Sequence, residues 1–296
     1  MKEIVVLSGK GGTGKTSIVG SFAALVKSKV LVDCDVDAAV LHLLLNPAIK
    51  QSNEFWSGQT AVIDENKCIQ CGLCQDLCRF HAIKDYQVDA ISCEGCGFCA
   101  HVCAVEAITM RDNLSGHWFV SETKYGTLVH ARLGIAQENS GKLVALVRQQ
   151  AQQIAQKQSS DYIISDGPPG IGCPVISSLS GASLALLVTE PTLSGIHDLE
   201  RVLRVCQHFG VPAMVCINKF DINSENSHRI ESFCEEQSVD VVAKIPFDNM
   251  VTEAMVHGVP VVEYAEKSEV SVALKNLWQK TMESLIHGQE IRNASV

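Results

Sequence analysis

Short apolar runs alternate with amphipathic stretches along most of this chain. Residues 4–7 (Ile-Val-Val-Leu) are an apolar run that stops at a glycine-rich turn; residues 15 to about 27 repeat apolar positions at helical spacing, and 30–32 are apolar again. The start therefore predicts a βαβ unit. After Ser115 the alternation resumes: a hairpin-like stretch over 118–130, a helix over 141–156, and a strand over 162–165 that ends at Asp166. Strands at 184–189, 213–217 and 241–245 follow, separated by helices at 194–209 and near 225–236, with a last helix near 269–286. Runs this short, alternating with helices, predict an α/β fold with a mainly parallel sheet covered on both faces.

The pattern breaks between about residues 61 and 112. Little helical periodicity survives there, and eight of the chain's 13 cysteines fall between Cys68 and Cys103. We read this as an inserted α+β module, with 1–60 and 113–296 forming the surrounding domain. The module contains a repeat: CIQCGLCQDLCRFHAI from Cys68 and CEGCGFCAHVCAVEAI from Cys93 align at an offset of 25 residues. Each half has the spacing C-x2-C-x2-C-x3-C and resembles the bacterial ferredoxin run for 4Fe-4S clusters, in which the fourth cysteine of each run serves the other cluster. That implies Cys68, Cys71, Cys74 and Cys103 on one cluster, with Cys93, Cys96, Cys99 and Cys78 on the second. Gly72 and Gly97 are expected to relieve crowding against the cluster sulfides. Zinc is the rival, but matched x3 spacers in two overlapping quartets favour iron-sulfur. The proline that usually follows the fourth cysteine is replaced by Arg79 and Ala104.

The glycine-rich turn reads GKGGTGKTS: Gly9, Lys10, Gly11, Gly12, Thr13, Gly14, Lys15, Thr16, Ser17. It satisfies G-x-x-x-x-G-K-[ST] directly between a strand and a helix. Its backbone N–H groups can cradle a nucleotide's phosphates, Lys15 can reach the β- and γ-phosphates, and Thr16 can ligate Mg²⁺. A lysine at position 10 resembles the deviant Walker A loop of the MinD/ParA/Mrp and nitrogenase iron-protein group of P-loop ATPases. The resemblance implies a homodimer, because in that family this lysine reaches across a nucleotide sandwich to the partner's ATP. Residues 30–45 look like the second strand and switch I, with Asp35 as the water-positioning carboxylate, Asp33 and Asp37 flanking it, and Val40 where relatives tend to carry asparagine. Asp166-Gly-Pro-Pro-Gly170 resembles switch II, Asp166 holding Mg²⁺ through water and the Gly170 N–H meeting the γ-phosphate. Asn218, Lys219 and Pro246 resemble the adenine-recognition segments.

Composition narrows the choice of function. With 24 Lys+Arg against 33 Asp+Glu, the formal charge is −9, which disfavours nucleic acid as a partner. A signal-peptide pattern and an apolar run of 18 residues are both missing from the sequence, so we expect a cytoplasmic protein whose clustered thiols hold metal rather than disulfides. Cys206 and Cys216 read as core residues. Cys173 sits seven residues after Asp166, where nitrogenase-iron-protein-like dimers bind a shared cluster, but no second cysteine occupies a matching place. The final helix carries no basic excess, so a packed closing helix is preferred to a membrane anchor. The expectation is a slow, dimeric ATPase, binding ATP or ADP with Mg²⁺, that couples nucleotide state to electron transfer through two 4Fe-4S clusters and a redox or iron-sulfur protein partner. The alternative is an iron-sulfur assembly or delivery ATPase; a positioning ATPase comes third.

Overall fold

A computed structural model describes residues 1–134 and 139–293. In chain order the elements are β1 (Lys2–Ser8), α1 (Lys15–Leu25), β2 (Lys29–Asp33), α2 (Leu41–Leu45), β3 (Ala48–Ile63), α3 (Leu73–Asp76), β4 (Ile83–Lys84), β5 (Gln87–Val88), α4 (Phe98–Val102), β6 (Ile108–Thr123) and β7 (Gly126–Leu133). They continue with α5 (Ser140–Gln158), β8 (Tyr162–Pro169), α6 (Cys173–Leu179), β9 (Leu184–Thr189), α7 (Leu193–His208), β10 (Ala213–Asn218), α8 (Ser224–Glu236), β11 (Val241–Ile245), α9 (Asn249–Val256), α10 (Val261–Tyr264) and α11 (Glu269–Asn293).

The chain divides into two compact units, one comprising Met1–Ser52, Trp118–Ala131 and Gly141–Val296, the other Asn53–His117 and Arg132–Ser140. Among the described residues the large sheet runs β11-β10-β9-β1-β8-β2-β7-β6-β3. From β11 to β7 every neighbouring pair is parallel. Successive side chains on a strand point to opposite faces, and β1 shows what that does here. Ile4 and Val6 join a core formed with Ile18, Phe22 and Leu274 from α1 and α11. Val5 and Leu7 join a second core with Val175, Val202 and Ile230 from α6, α7 and α8. Both faces being covered, the central strands read as unbroken apolar runs, which is why they were legible.

The structure revises several expectations. Helix α1 stops at Leu25 because Val26 turns extended. Strand β3 was not foreseen: its first half, Lys50-Gln51-Ser52-Asn53-Glu54, is polar and largely exposed, with no apolar run to mark it. Strand β6 starts at Ile108, ahead of the hairpin expected from 118, and the short helices α2, α6, α9 and α10 were also missed. The second unit is wider than residues 61–112, since the flanking ends of β3 and β6 have ordinary composition and only the cysteine stretch stands out. Helix α11 buries Val270, Leu274 and Leu277 in the core, and among the described residues no helix is long and apolar enough to cross a membrane.

Candidate functional site: a nucleotide loop and two cysteine-lined cavities

Strand β1 delivers the chain to Ser8, and α1 begins at Lys15; the loop between them turns through positive φ at Gly12 (80°) and Gly14 (93°). Gly14 is doubly constrained, because a Cβ there would also stand 2.3 Å from Asn218 Nδ2. Asn218 donates from Nδ2 to Thr13 O at 2.8 Å, so the end of β10 is tied to the loop. Gly14 and Asn218, together with Ser17, Lys219, Pro246 and Phe247, line a cavity of about 70 Å³. The sequence-predicted base-pocket residues are thus neighbours.

Lys15 is 7% exposed and donates to Ser8 Oγ at 2.9 Å. Burial lowers its pKa, while Asp166, Asp35 and Asp33 pull the other way without fully compensating. The β2–β8 register sets Asp33 directly beside Asp166. Thr16 Oγ1 donates to Asp166 Oδ2 at 2.6 Å, whereas Asp166 Oδ1 is buried with no hydrogen-bond partner among the described residues. Burial pushes the Asp166 carboxyl up to about 6, with Lys15 and Thr16 opposing. A threonine hydroxyl touching a buried acid that keeps one free oxygen fits a hydrated Mg²⁺, whose charge would reverse the cost of ionising that acid.

Asp35, on the loop after β2, is raised above the usual carboxylate range by burial, opposed by Lys15. Asp33, which the sequence marked only as a flanking acid, accepts hydrogen bonds from the backbone N–H groups of Asp35 and Leu41, both at 3.1 Å. It therefore pins the loop that carries Asp35. Asp37 and Val40 are exposed. The Gly170 N–H donates to Ser8 O at 2.9 Å, so contact with a phosphate would require that bond to break.

Lys10 forms an ion pair with Glu190 at 2.5 Å and donates to Thr192 and Ser194 hydroxyls at 3.1 and 3.2 Å. Lys219 meets the other Glu190 oxygen at 3.3 Å. Burial works to raise the Glu190 pKa, but hydrogen bonds from the two lysines outweigh it and hold the carboxyl low. Nothing in the sequence singled out Glu190 and Thr192, in the turn after β9, or Ser194, in the first turn of α7.

In the second unit, the cysteines fall around two cavities. Cys78, Cys93, Cys96 and Cys99 line one of about 360 Å³, with Cys74 also on its wall. Cys68, Cys71, Cys74 and Cys103 line a second, of about 20 Å³. Each lining contains one of the two quartets that the ferredoxin resemblance implies, with Cys74 on both. All eight thiols are free. Burial raises the Cys74 thiol, with Cys68 and Cys71 adding, and the Cys99 thiol, with Cys93 and Cys96 adding. The repeat extends to hydrogen bonding, since Ala82 N donates to Cys78 Sγ at 3.4 Å and Ala107 N to Cys103 Sγ at 3.3 Å. Among the described residues no three His, Cys, Asp or Glu side chains are grouped so as to hold one metal ion. A cubane makes a different demand, four thiolates around the cluster; the two linings match it in donor type, with five cysteines on the first and four on the second, and the second cavity, of about 20 Å³, would have to widen to admit one.

Gly72 and Gly97 also answer to backbone conformation: they cap α3 and α4 at φ 80° and 73°, and a Cβ at either would meet no protein atom within 4 Å. Cys206, Cys216 and Cys234 are buried thiols raised by that burial to about 12, 12 and 11; Cys34 is buried too, while Cys173 is exposed at the start of α6.

Comparison with known proteins accords with this geometry. The CobQ/CobB/MinD/ParA nucleotide binding domain (CbiA) matches residues 4–261. An uncharacterized protein of Methanocaldococcus jannaschii is 32% identical over 284 residues, 95% of this chain and 96% of the relative. An iron-sulfur cluster carrier protein of Pyrococcus horikoshii is 28% identical over 141 residues, 43% of this chain and 47% of that protein. Among solved structures, the septum site-determining protein MinD complexed with Mg-ADP, also from Pyrococcus horikoshii, aligns at a TM-score of 0.59 and 20% identity over 95% of both chains, a likeness of fold. With the match running from β1 to the start of α10 and the phosphate loop between β1 and α1, the chain belongs to the CobQ/CobB/MinD/ParA nucleotide-binding domain family.

Proposed function

We propose that this chain is a dimeric, slowly turning-over ATPase whose nucleotide state is coupled to electron transfer through two 4Fe-4S clusters. The observation that carries the reading is the division of eight cysteines between two cavities in one unit of a chain whose other unit has the phosphate loop. Lys15 would bind the β- and γ-phosphates, Thr16 and Asp166 the Mg²⁺, and Asp35 would orient the attacking water. Asn218, Lys219 and Pro246 would hold the base. Lys10 would leave Glu190 to reach the partner's nucleotide, which makes hydrolysis depend on dimerisation. Cys68, Cys71, Cys74 and Cys103 would hold one cluster and Cys78, Cys93, Cys96 and Cys99 the other, supplying one-electron transfer when bound. A cytoplasmic redox or iron-sulfur protein is the expected partner.

Two measurements on anaerobically reconstituted protein test this. Iron and acid-labile sulfide should each reach about eight per chain; two zinc ions and no sulfide would sink the cluster assignment. Hydrolysis of Mg-ATP per chain should rise with protein concentration, and full activity in a monomer at high dilution would refute the sandwich.

A second reading, cluster assembly or delivery, is favoured by the similarity to the iron-sulfur cluster carrier protein. Complete quartets speak for retained clusters. Incubation with an apo-ferredoxin acceptor separates the readings: ATP-dependent loss of iron to the acceptor supports delivery, and retention with altered redox behaviour supports electron transfer.

A further inference from the structure

The two halves of the cysteine repeat are an internal control on each other. The 25-residue offset aligns Cys78 with Cys103 and Cys93 with Cys68, and it sets Arg79 against Ala104 and Glu94 against Ile69. The residue after the ligand is therefore charged in one site and apolar in the other. Arg79 and Glu94 both line the cavity of Cys78, Cys93, Cys96 and Cys99. Among the described residues the cavity of Cys68, Cys71, Cys74 and Cys103 has no Asp, Glu, Lys or Arg in its lining, which includes Ile69, Leu73, Val102 and Val105. The accessible space differs too, about 360 Å³ against about 20 Å³. One feature is matched: each fourth cysteine accepts an equivalent backbone N–H bond, from Ala82 or Ala107. That contact cannot distinguish the sites, and neither does thiol exposure, with one exposed and three half-buried cysteines at each; the space beside the thiols and the neighbouring charge do differ.

Reduction adds one negative charge to a cluster that four thiolates already make anionic. Water and cations stabilise the added charge, and a closed apolar lining penalises it, so exposure and nearby positive charge raise the potential. Arg79 acts in that direction and Glu94 against it. Both side chains are exposed, so water screens each of them.

We infer that the two sites are unequal acceptors: the cluster held by Cys78, Cys93, Cys96 and Cys99 has the higher reduction potential and takes the first electron, with Arg79 as its tuning residue. This rests on the two-cluster reading above. In the step, one electron passes from a low-potential one-electron reductant to that cluster; no proton moves and no bond to the protein forms or breaks. An electron entering at the site of Cys68, Cys71, Cys74 and Cys103 would pass on to the one beside Arg79, giving the module a direction.

The test is a mediator-poised dithionite titration of the reconstituted full chain, followed by electron paramagnetic resonance. Two midpoints should separate, a tenfold preference for one site corresponding to about 59 mV. Cys78→Ala should retain the lower midpoint and lose the upper. Arg79→Ala should lower only the upper midpoint, Glu94→Gln should raise it, and Ala104→Arg should raise the lower one. The inference is overturned by inseparable midpoints, by Cys78→Ala keeping the upper one, or by Arg79→Ala shifting the lower one or neither. The iron and sulfide count tells the two failures apart. With about eight of each present, only the inequality has failed; with none, the cluster reading has failed and this inference goes with it.

Discussion

Residue-scale consequences are clearest where one side chain answers to two constraints. Gly14 adopts φ 93° and leaves no room for a Cβ beside Asn218, so Gly14→Ala should lower stability by about 1–2 kcal/mol from the left-handed backbone alone and abolish nucleotide binding. Urea denaturation and a fluorescent-nucleotide titration measure the two effects. Lys10→Ala behaves differently: it frees Glu190 from an ion pair but leaves Lys15 and Thr16 in place, so nucleotide binding should persist while turnover and ATP-dependent dimerisation disappear. Gel filtration with a non-hydrolysable ATP analogue checks this, and a Lys10→Ala dimer of wild-type stability would contradict the role. His130 gives a pH prediction. Its ring bonds Ser121 Oγ at 2.9 Å and stacks near His42 and Phe119, and burial followed by His42 lowers its pKa to about 4. A histidine depressed in the folded state stabilises above its unfolded pKa of about 6.5 and loses that contribution as pH falls toward the folded value. Wild type should therefore lose more stability between pH 7 and 5 than His130→Phe does, measured by urea midpoints; equal losses would show that His130 is not the group responsible.

At the scale of elements, α11 and the cysteine repeat make separable predictions. Leu277 is fully buried between α11 and the sheet, so Leu277→Ala should cost about 2–5 kcal/mol. A helix serving as a membrane anchor would instead show reduced vesicle co-sedimentation with stability unchanged. In the repeat, Cys78 sits in the first half but lines the cavity of the second. Its replacement by alanine should reduce iron from about eight to about four per chain and leave the Cys68, Cys71, Cys74 and Cys103 site intact. Loss confined to the first half's own cavity would mean that each run serves itself. The crossed ligand sets are what the ferredoxin resemblance implies, and the cavity linings place Cys78 beside Cys93, Cys96 and Cys99; the αL caps at Gly72 and Gly97 add a backbone requirement that the sequence reading did not state.

For the whole molecule, the chain path matters. It leaves α2, directly after the loop carrying Asp35, enters β3, and returns through β6 and β7 before β8 leads to Asp166. Any change in that loop on binding Mg-ATP thus has a short covalent route to the cysteine-rich unit. If it is transmitted, ATP should shift cluster potential by about 40–130 mV, matching a coupling of about 1–3 kcal/mol, and reduction must change ATP affinity by the same factor. Voltammetry with an ATP analogue and nucleotide titrations of oxidised and reduced protein read the two directions. No change in potential, reduction rate or affinity would leave the units uncoupled in the isolated protein and move cluster delivery to first place.

What the sequence determined by itself was local in its physical origin. A strand buried on both faces must be an apolar run, a loop that wraps phosphate must carry glycines and a lysine, and cysteines set two and three residues apart in a repeat stand out as candidate ligands. Residues 4–7, GKGGTGKT and the two C-x2-C-x2-C-x3-C runs could therefore be read directly. Tertiary structure alone decided features that depend on distant partners. Lys10 meets Glu190, Thr192 and Ser194, some 180 residues away, and no periodicity links them. Asp33 lies beside Asp166 because β2 and β8 pair in register; burial and then Asp166 drive the Asp33 carboxyl up, while burial and then Asp35 raise Asp166. The polar start of β3 holds its place in the sheet by backbone hydrogen bonding, which is nearly blind to side chains. The unequal size of the two cysteine cavities arises likewise from packing around repeats of equal spacing, so no spacing rule could have announced it.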